Sequence, residues 1–565
     1  MAEWKIAADP DLSGYADAGP DLPMAIKKLL VNRGIDSTLA ARIFMQTPKD
    51  LTQDELMPNL SAAVSRLKSA CEHGERVTVF GDYDVDGITA SVLLVEGLNS
   101  LGANVDYYIP DRRTEGYGPN VRSIRRVSDL GTSLLITADT GTSAIEEIDE
   151  ANELSMDVVV IDHHSIPAIL PNALAIVNPL LNDNQYGSEP AAVGVAYKVL
   201  RALFEEMRRE FDDTRYIELV CLGLVCDLAP LKGESRSLVR LGLDAIRRSK
   251  RPGIKALCKQ AGIKESEIDS EAIGWKLGPR LNAAGRMAHA SLSFDLLDCD
   301  DPVRADALAK SLERLNDDRR SATEAAVELS QKYLTDMYGE ELPPLVIIAS
   351  NEIHAGIAGI CASRLADQYG RPAIVIDMSG EEARASCRSV GDFDLVDLLN
   401  KVSSHLIKFG GHRAAAGFSA ELSSVAELQS LLLSAAAQVS VSRQDHIHID
   451  MDINFEEMTD RMFQYLDLLE PHGIGNPRPV FVTSEATMTG ARSMGQNGAH
   501  LRASFVQGTE TWDAVGWNIG EYSRYNGRKF DLVYSFRRTD PRFRRTALQL
   551  RELDVIALRL SGTGI

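Results

Sequence analysis

Three aspartates alternate with other residues in VTVFGDYDVDGITA (Val77 to Ala90): Asp82, Asp84 and Asp86, closing on Gly87. The D-x-D-x-D-G start is that of a calcium-binding EF-hand loop. An EF-hand also needs a bidentate Glu at loop position twelve, and counting from Asp82 that position is Leu93. It is entered from a helix, whereas Val77, Val79 and Phe80 read as a buried strand. The cluster therefore closes a strand and opens a helix (Ile88 to Leu101), as some other metal or phosphate site. Further along, Asp139 follows the apolar run LLITA, and Asp162, His163 and His164 follow VVVI. Asp227 ends the stretch in which Ile217, Val220, Cys221, Leu224 and Val225 repeat at helical spacing, so it falls at a helix C-terminus. The helix dipole disfavours an anion there, so a nearby cation is expected. Cys226 and Leu228 on either side predict a buried position.

A lone strand-end aspartate reads as a helix N-cap. The whole set reads differently. Carboxylates gathered at one edge of a sheet repel and shift one another's pKa values, and divalent metal removes the conflict. Carboxylate mixed with imidazole suits Mn²⁺ or Mg²⁺, with Mn²⁺ favoured by the histidine. Two metals bridged by one carboxylate activate a water and clamp a phosphate for in-line attack.

Such residues must be delivered by a sheet, because ligands bind beyond the carboxyl ends of strands in open α/β folds. From Arg76, the runs VTVF, NVDYYIP, SLLITAD and MDVVVID alternate with helix-like segments, which predicts a mostly parallel sheet wrapped by helices. The 565 residues divide into an N-terminal helical segment (1–70), this α/β unit (71–235) and a helical region with a long connecting helix (236–340). A second α/β unit (341–440) and an all-β C-terminal unit (441–565) follow, the latter a small OB-type barrel or a sandwich. At 44% hydrophobic and 25% charged residues the chain is ordinary globular protein. No apolar run reaches the ~20 residues of a membrane helix, and MAEWKIAADPDL lacks the basic start of a signal peptide. Seven scattered cysteines without a CxxC pair fit reduced thiols, and a cytoplasmic location is expected. The net charge of −21 argues against nonspecific nucleic-acid binding but not against a local basic groove. SFRRTDPRFRRTALQLR sets Arg537, Arg538, Arg542, Arg544, Arg545 and Arg551 around Phe536 and Phe543. This suits a single-stranded nucleic acid or, equally, a solvated basic face.

GDYDVDG, TADTG, DHH and CDLAPL in this order resemble the DHH phosphoesterase superfamily. LGPRLNAAGRM (Leu277 to Met287), EIHAGIAGICASRL, ASCRS, FGGHRAAAGF and LEPHGIGNPRPVF narrow the likeness to the bacterial RecJ family of single-strand-specific DNA exonucleases. The resemblance covers nearly all of the chain from about Arg76. It implies a DHH-type parallel-sheet domain, a long connecting helix, a DHHA1-like domain and an OB-fold-like barrel. It further implies 5′→3′ hydrolysis of single-stranded DNA to 5′ mononucleotides in repair and recombination, with two Mn²⁺ or Mg²⁺ ions.

Metal ligation falls by resemblance to Asp84, Asp86, Asp139, His163 and Asp227, with Asp139 bridging and Asp82 a further ligand or supporting acid. His164 contacts the scissile phosphate and Asp162 orients the site. Arg280, Asn282 and Arg286 line the nucleotide path. Arg112, Ser386, Arg388 and Ser389 grip the 5′ phosphate, and His354, Gly410, Gly411 and His412 face phosphate from the second domain. A single-strand-binding protein and a repair helicase are the implied partners. The sequence departs from the family where Phe80 stands for a histidine of some relatives, at Ile353 and Ala355 around His354, and at Cys387 in place of glycine. Two other functions compete: a DHH enzyme acting on small phosphates or short oligonucleotides, and a non-catalytic DNA-binding scaffold. The barrel and the basic stretch weigh against the first, and the intact acid set weighs against the second.

Overall fold

Arg76–Gly81 (β1) is an inner strand of a five-stranded parallel sheet in the computed structural model, which describes residues 3–16, 22–45, 56–184, 186, 189–339, 341–438, 446–539 and 551–562. After β1 the chain forms α1 (Val85–Ser100), β2 (Asn104–Tyr108), β3 (Leu134–Ala138), β4 (Asp157–Ile161) and β5 (Ala175–Val177). The strand order is β2-β1-β3-β4-β5. The chain leaves β1 for β2 on one side and then crosses to β3 on the other, so the carboxyl ends of β1 and β3 flank the topological switch point. Strands β3 and β4 are buried on both faces, which is why they read as unbroken apolar runs. Helix α1 is buried almost all round, between the sheet and the helices α2 (Ala192–Glu206) and α3 (Asp213–Cys226).

Helix α4 (Gly278–Met287) follows a π-helical turn, Ile273–Leu277, and α5 (Pro302–Tyr338) is the long connecting helix of 37 residues. Its buried positions make one stripe. Ala305, Ala309 and Leu312 join the first domain's core, and Ala326 and Leu334 join the second's. The second domain has β6 (Val346–Ser350), α6 (Ala355–Tyr369), β7 (Ala373–Asp377), β8 (Glu382–Arg388), β9 (Lys408–Gly411) and β10 (Ala415–Glu421), in the order β9-β10-β8-β7-β6. Only β6 and β7 run parallel. These two domains, residues 50–444, form one compact unit.

Residues 1–49 and 445–565 form the other. β11 (Phe481–Met494), β12 (His500–Gln507), β13 (Glu510–Gly516), β14 (Lys529–Arg538) and β15 (Arg551–Leu560) close into a barrel ordered β11-β12-β13-β15-β14, with β14 returning to β11. Pairing is antiparallel except between β13 and β15. This is a closed five-stranded OB-type barrel, not a sandwich. The N-terminal stretch expected as one helical segment is divided between the units. Strand Glu3–Ile6 pairs with His446–Ile449, and helix Met24–Asn32 buries Ile26, Leu29 and Leu30 beside Met462 and Phe463. Helix Leu60–His73 instead buries Leu67 and Ala70 in the core of the first α/β domain. A nine-residue amphipathic helix cannot bury its own apolar face, so each helix joins whichever core completes it.

Candidate metal centre and phosphate site

Strand β1 ends in Gly81 and the chain turns at once into α1. Asp84 is the N-cap of α1, its Oδ1 accepting from the backbone N–H of Asp86 (2.9 Å) and of Gly87 (3.1 Å). Gly87 is required by closeness: a Cβ there would lie 2.6 Å from the Asp82 nitrogen. Asp86 points into the protein, and its two oxygens accept from Ala192 N–H (2.6 Å) and Val193 N–H (3.0 Å) at the start of α2. Asp82 is buried, and its Oδ1 has no hydrogen-bond partner. Asp139 follows β3 with φ 64°, a left-handed conformation that aspartate tolerates better than most residues.

These acids converge on the histidines that follow β4. His163 Nε2 lies 3.1 Å from Asp139 Oδ1 and 3.8 Å from Asp86 Oδ2, and its Nδ1 lies 3.9 Å from Asp227 Oδ2. His164 Nδ1 donates to Asp162 Oδ1 at 2.7 Å. Three ligand groups result, each with donor atoms within 4.8 Å of one another: Asp82, Asp84 and Asp139; Asp86, His163 and Asp227; and Asp139, His163 and His164. Asp139 is shared by two of them. Asp162 is outside all three. Its oxygens accept from Thr142 N–H, from the backbone N–H of both histidines and from the His164 ring, so it fixes the loop that carries them.

Asp227 caps the C-terminus of α3, at the disfavoured end of the helix dipole. The burial expected from its neighbours is corrected. Asp227 is half-buried and Leu228 is 66% exposed, because the chain turns outward at Leu228 with φ 61°.

Burial and mutual repulsion set the electrostatics of the acids. Burial, then the charges of Asp86, Asp84 and Asp82, push the Asp139 carboxyl well above the usual range. Burial and Asp84 do the same to Asp82. Burial and Asp227 raise Asp86 to about 7, and burial and Asp84 raise Asp227 to about 7. Burial opposes charge on the Asp162–His164 pair, but their hydrogen bond outweighs it. Asp162 is held well below its ordinary value and His164 is raised to about 9. Oxygen and imidazole donors, repelling carboxylates and the orphaned Asp82 oxygen all fit divalent cations.

A stability prediction follows. A carboxyl whose folded value is near 7, against an ordinary 3.8, contributes stability fully present below 3.8 and lost as pH rises through about 7. In EDTA, Tm should therefore fall between about pH 5 and about pH 8, and saturating Mn²⁺ should cancel the fall by binding the ionised carboxylates. A Tm in EDTA that climbs over this range would mean that the acids are not in conflict.

Beside the acids lies a set of arginines that form no ion pair among the described residues: Arg112, Arg286, Arg319 and Arg388. Arg112 stacks over the ring of Tyr83 at 4.6 Å, and Tyr83 stands between Asp82 and Asp84 in the chain. Burial, then Arg112, Arg319 and Arg388, press the Arg286 guanidinium down to about 9. Burial and Arg112 lower Arg388 as well, with Cys387 opposing. Arg286 donates to the Gly356 carbonyl (3.2 Å), which ties α4 to α6. Mutually repelling, half-buried arginines without an ion pair among the described residues suit an anion.

The other expected positions divide. Asn282 and Arg286, one helical turn apart, share a face of α4, but Arg280 turns to Glu313 on α5 (2.9 Å), which spends its fork on an internal pair. Ser386 and Arg388 share one face of β8, while Cys387 points the other way into the domain core. The Cys387 departure therefore lies on the face away from Ser386 and Arg388. The Ser389 hydroxyl donates to the Phe393 carbonyl (2.6 Å). His354 precedes α6, where Asp377 accepts from Ala355 N–H (2.7 Å). Ile353 is buried core. Gly410 and Gly411 belong to strand β9, and the chain reverses at His412 to Ala415 on the exposed edge. Gly411 has φ 133°, and a Cβ there would meet the Ala415 carbonyl at 2.5 Å. Phe80 faces away from the metal site and stacks on Tyr108 at 5.1 Å.

Three contributors carried no sequence signal. Tyr117 donates to the Asp139 carbonyl (3.1 Å) and sits 3.3 Å from His164 Nε2. Thr142 and Arg319 belong to no motif until packing brings them in. On the barrel, Phe536 belongs to the core, Arg537 pairs with Glu552 (3.4 Å) and Arg551 pairs with Asp467. Of the expected basic–aromatic stretch, then, Phe536 is not open to solvent and both arginines are paired with carboxylates. Residues 540–550, with Arg542, Phe543, Arg544 and Arg545, and the Arg538 side chain lie outside the described residues.

Sheet order, the Asp162-His163-His164 triplet and the paired α/β domains define the two-domain architecture of the DHH class. The DHH family N-terminal domain matches residues 76–224, the DHHA1 domain 343–438 and the RecJ OB domain 449–552. The chain belongs to the bacterial RecJ family of single-stranded-DNA-specific exonucleases. It is 35% identical over 507 residues to the RecJ exonuclease of Bacillus subtilis, a match covering 88% of this chain and 63% of that protein. It is 32% identical over 528 residues to that of Salmonella typhimurium, covering 89% and 90%. The crystal structure of RecJ in complex with Mn²⁺ from Thermus thermophilus superposes with a TM-score of 0.84 at 26% identity, covering 99% of this chain and 79% of that one. The chain thus spans just under two-thirds of the Bacillus relative and nine-tenths of the Salmonella one.

Proposed function

We propose that the protein is a divalent-metal-dependent exonuclease that removes 5′ mononucleotides from single-stranded DNA, acting in repair and recombination. The observation that carries the reading is Asp139, shared between two ligand groups, in one of which Asp82 feels the charge of Arg112, a member of an arginine cluster without ion pairs among the described residues. Asp82, Asp84, Asp86, Asp139, His163 and Asp227 would hold two cations, Mn²⁺ or Mg²⁺, the metals carried by the solved Thermus thermophilus RecJ structures. When bound, the cations supply charge that activates water and steadies the phosphoryl oxygens. Asp162 holds His164 by its Nδ1, leaving Nε2 to donate to the scissile phosphate. Arg112, Arg286 and Arg388 receive the terminal phosphate, with Ser386 on the same strand face, while Asn282 follows the strand along α4.

Mn²⁺ with a 5′-labelled single strand, a duplex and pyrophosphate tests this directly. Labelled mononucleotide from the single strand alone supports the reading. Turnover of pyrophosphate alone would assign the protein to small phosphates, and no turnover would make it a scaffold. A single-strand-binding protein and a repair helicase are the partners that this reading implies. Among the described residues no helix is long and apolar enough to cross a membrane, and the cysteines are free thiols. A cytoplasmic location fits these observations.

The barrel supplies strand affinity. Trp517 follows β13 and is 48% exposed, with His500 at 4.9 Å edge-on and the Arg537 guanidinium 5.6 Å from its ring centre. A ring in contact with a cation offers a base both stacking and charge. Trp517→Ala should weaken binding of a long single strand about tenfold, within the ~1–3 kcal/mol of one stacked base. Hydrolysis of a trinucleotide should not change. Equal affinity of variant and parent for the long strand would remove Trp517 from the path.

A further inference from the structure

Two histidines face each other in the unit that holds the barrel, apart from the acids of the DHH domain. His446 and His448 stand two residues apart on the strand His446–Ile449. Their Nε2 atoms are 3.0 Å apart and their ring centres 4.5 Å apart. Strand alternation explains the pairing. Ile447 and Ile449 turn the other way and pack with Trp4 against Val482 and Val533. That face anchors the strand, and both imidazoles share the opposite one. Strand Glu3–Ile6 runs parallel alongside, with Glu3 in register with His446. Glu3 is exposed on the same face as the histidines, one strand spacing of ~4.8 Å away.

A hydrogen bond between two neutral imidazole nitrogens uses one N–H and one lone pair. Moving that proton to Nδ1 of its own ring frees both Nε2 lone pairs for a single cation, with no net loss of a proton. Two nitrogens 3.0 Å apart, each ~2.0–2.1 Å from one ion, subtend about 94° at it. That is close to the right angle of tetragonal Cu²⁺ and Ni²⁺, whereas a tetrahedral ion needs the nitrogens about 3.4 Å apart. Imidazole also suits these ions better than Mn²⁺ or Mg²⁺, which favour the carboxylates of the other cluster. A net charge of −21 draws cations to the surface. We propose that His446 and His448 chelate one Cu²⁺ or Ni²⁺ ion, with Glu3 as an oxygen donor that ties the N-terminal strand to its neighbour.

Titration calorimetry of the full chain with Ni²⁺, in saturating Mn²⁺, tests it. Ni²⁺ serves as the probe because, unlike Cu²⁺, it leaves the free thiols unoxidised. The parent should take up one Ni²⁺ at this site. His446→Gln and His448→Gln should each weaken that binding at least about tenfold, since even the outer partners of metal ligands are worth about ten- to a hundredfold. Glu3→Gln should weaken it less, and should shrink the rise in Tm that Ni²⁺ gives the parent. Asp139→Asn should bind Ni²⁺ here as the parent does, which separates this site from the acid cluster. Without Ni²⁺, both histidine variants should keep the parental Tm and the parental Mn²⁺-dependent hydrolysis of a short oligonucleotide. Equal Ni²⁺ affinity in the parent and both histidine variants overturns the proposal, as does uptake lost in Asp139→Asn alone.

Discussion

Asp139→Asn abolishes hydrolysis at saturating Mn²⁺, with an expected loss of at least about a thousandfold, or ~4 kcal/mol of barrier. Asp139 offers one carboxylate to two ligand groups, so its loss reaches both cations at once. Asparagine is the informative replacement because the backbone sits at φ 64°, which asparagine tolerates and alanine does not. The fold should survive, and more than survive. The carboxyl is driven up by burial and by Asp86, Asp84 and Asp82, so deleting its charge relieves repulsion. In EDTA above neutral pH the variant should melt at or above the parental Tm, while Mn²⁺ should raise its Tm less than the parent's. Turnover near the parental rate in a folded variant would end the two-metal reading. A lower Tm in EDTA would show instead that Asp139 is a structural acid.

Arg388→Ala should raise KM for 5′-phosphorylated strands by roughly ten- to a hundredfold, as one charge-assisted hydrogen bond of ~1.5–3 kcal/mol is lost. Strands ending in a 5′ hydroxyl should change far less. Arg388 shares its strand face with Ser386, has no carboxylate partner among the described residues, and is held down by burial and by Arg112. An anion relieves that repulsion, so the free protein should be stabilised by inorganic phosphate, and the variant less so. Arg388→Lys should not restore the parental KM, because an ammonium lacks the bidentate fork. An equal KM rise on both kinds of strand would show that Arg388 does not read the terminus.

Local grammar made much of this molecule legible. An apolar run followed by Asp is a strand ending at a ligand edge, whatever else the chain does. The acids after β1, β3 and β4 could therefore be set on one sheet edge from their spacing alone. Motif order then identified the family. Helical periodicity likewise marked the connecting helix and put Asp227 at a helix end. It did not show that Leu228 turns outward, since a left-handed residue after a helix leaves no apolar signature.

Other features depended on contacts between segments far apart in the chain. Arg112, Arg286, Arg319 and Arg388 come from four segments, and none is unusual in its own. Arg280, two residues before Asn282 in the same motif, was diverted by Glu313 of a helix more than thirty residues away. Phe536 and Arg537 are adjacent, yet strand alternation sends one into the barrel core and the other to its surface. Sequence by itself determined which residues end strands and helices, because backbone propensity and periodicity act over a few residues. Tertiary structure alone decided which charges face each other without a partner, because that depends on which distant surfaces burial brings together.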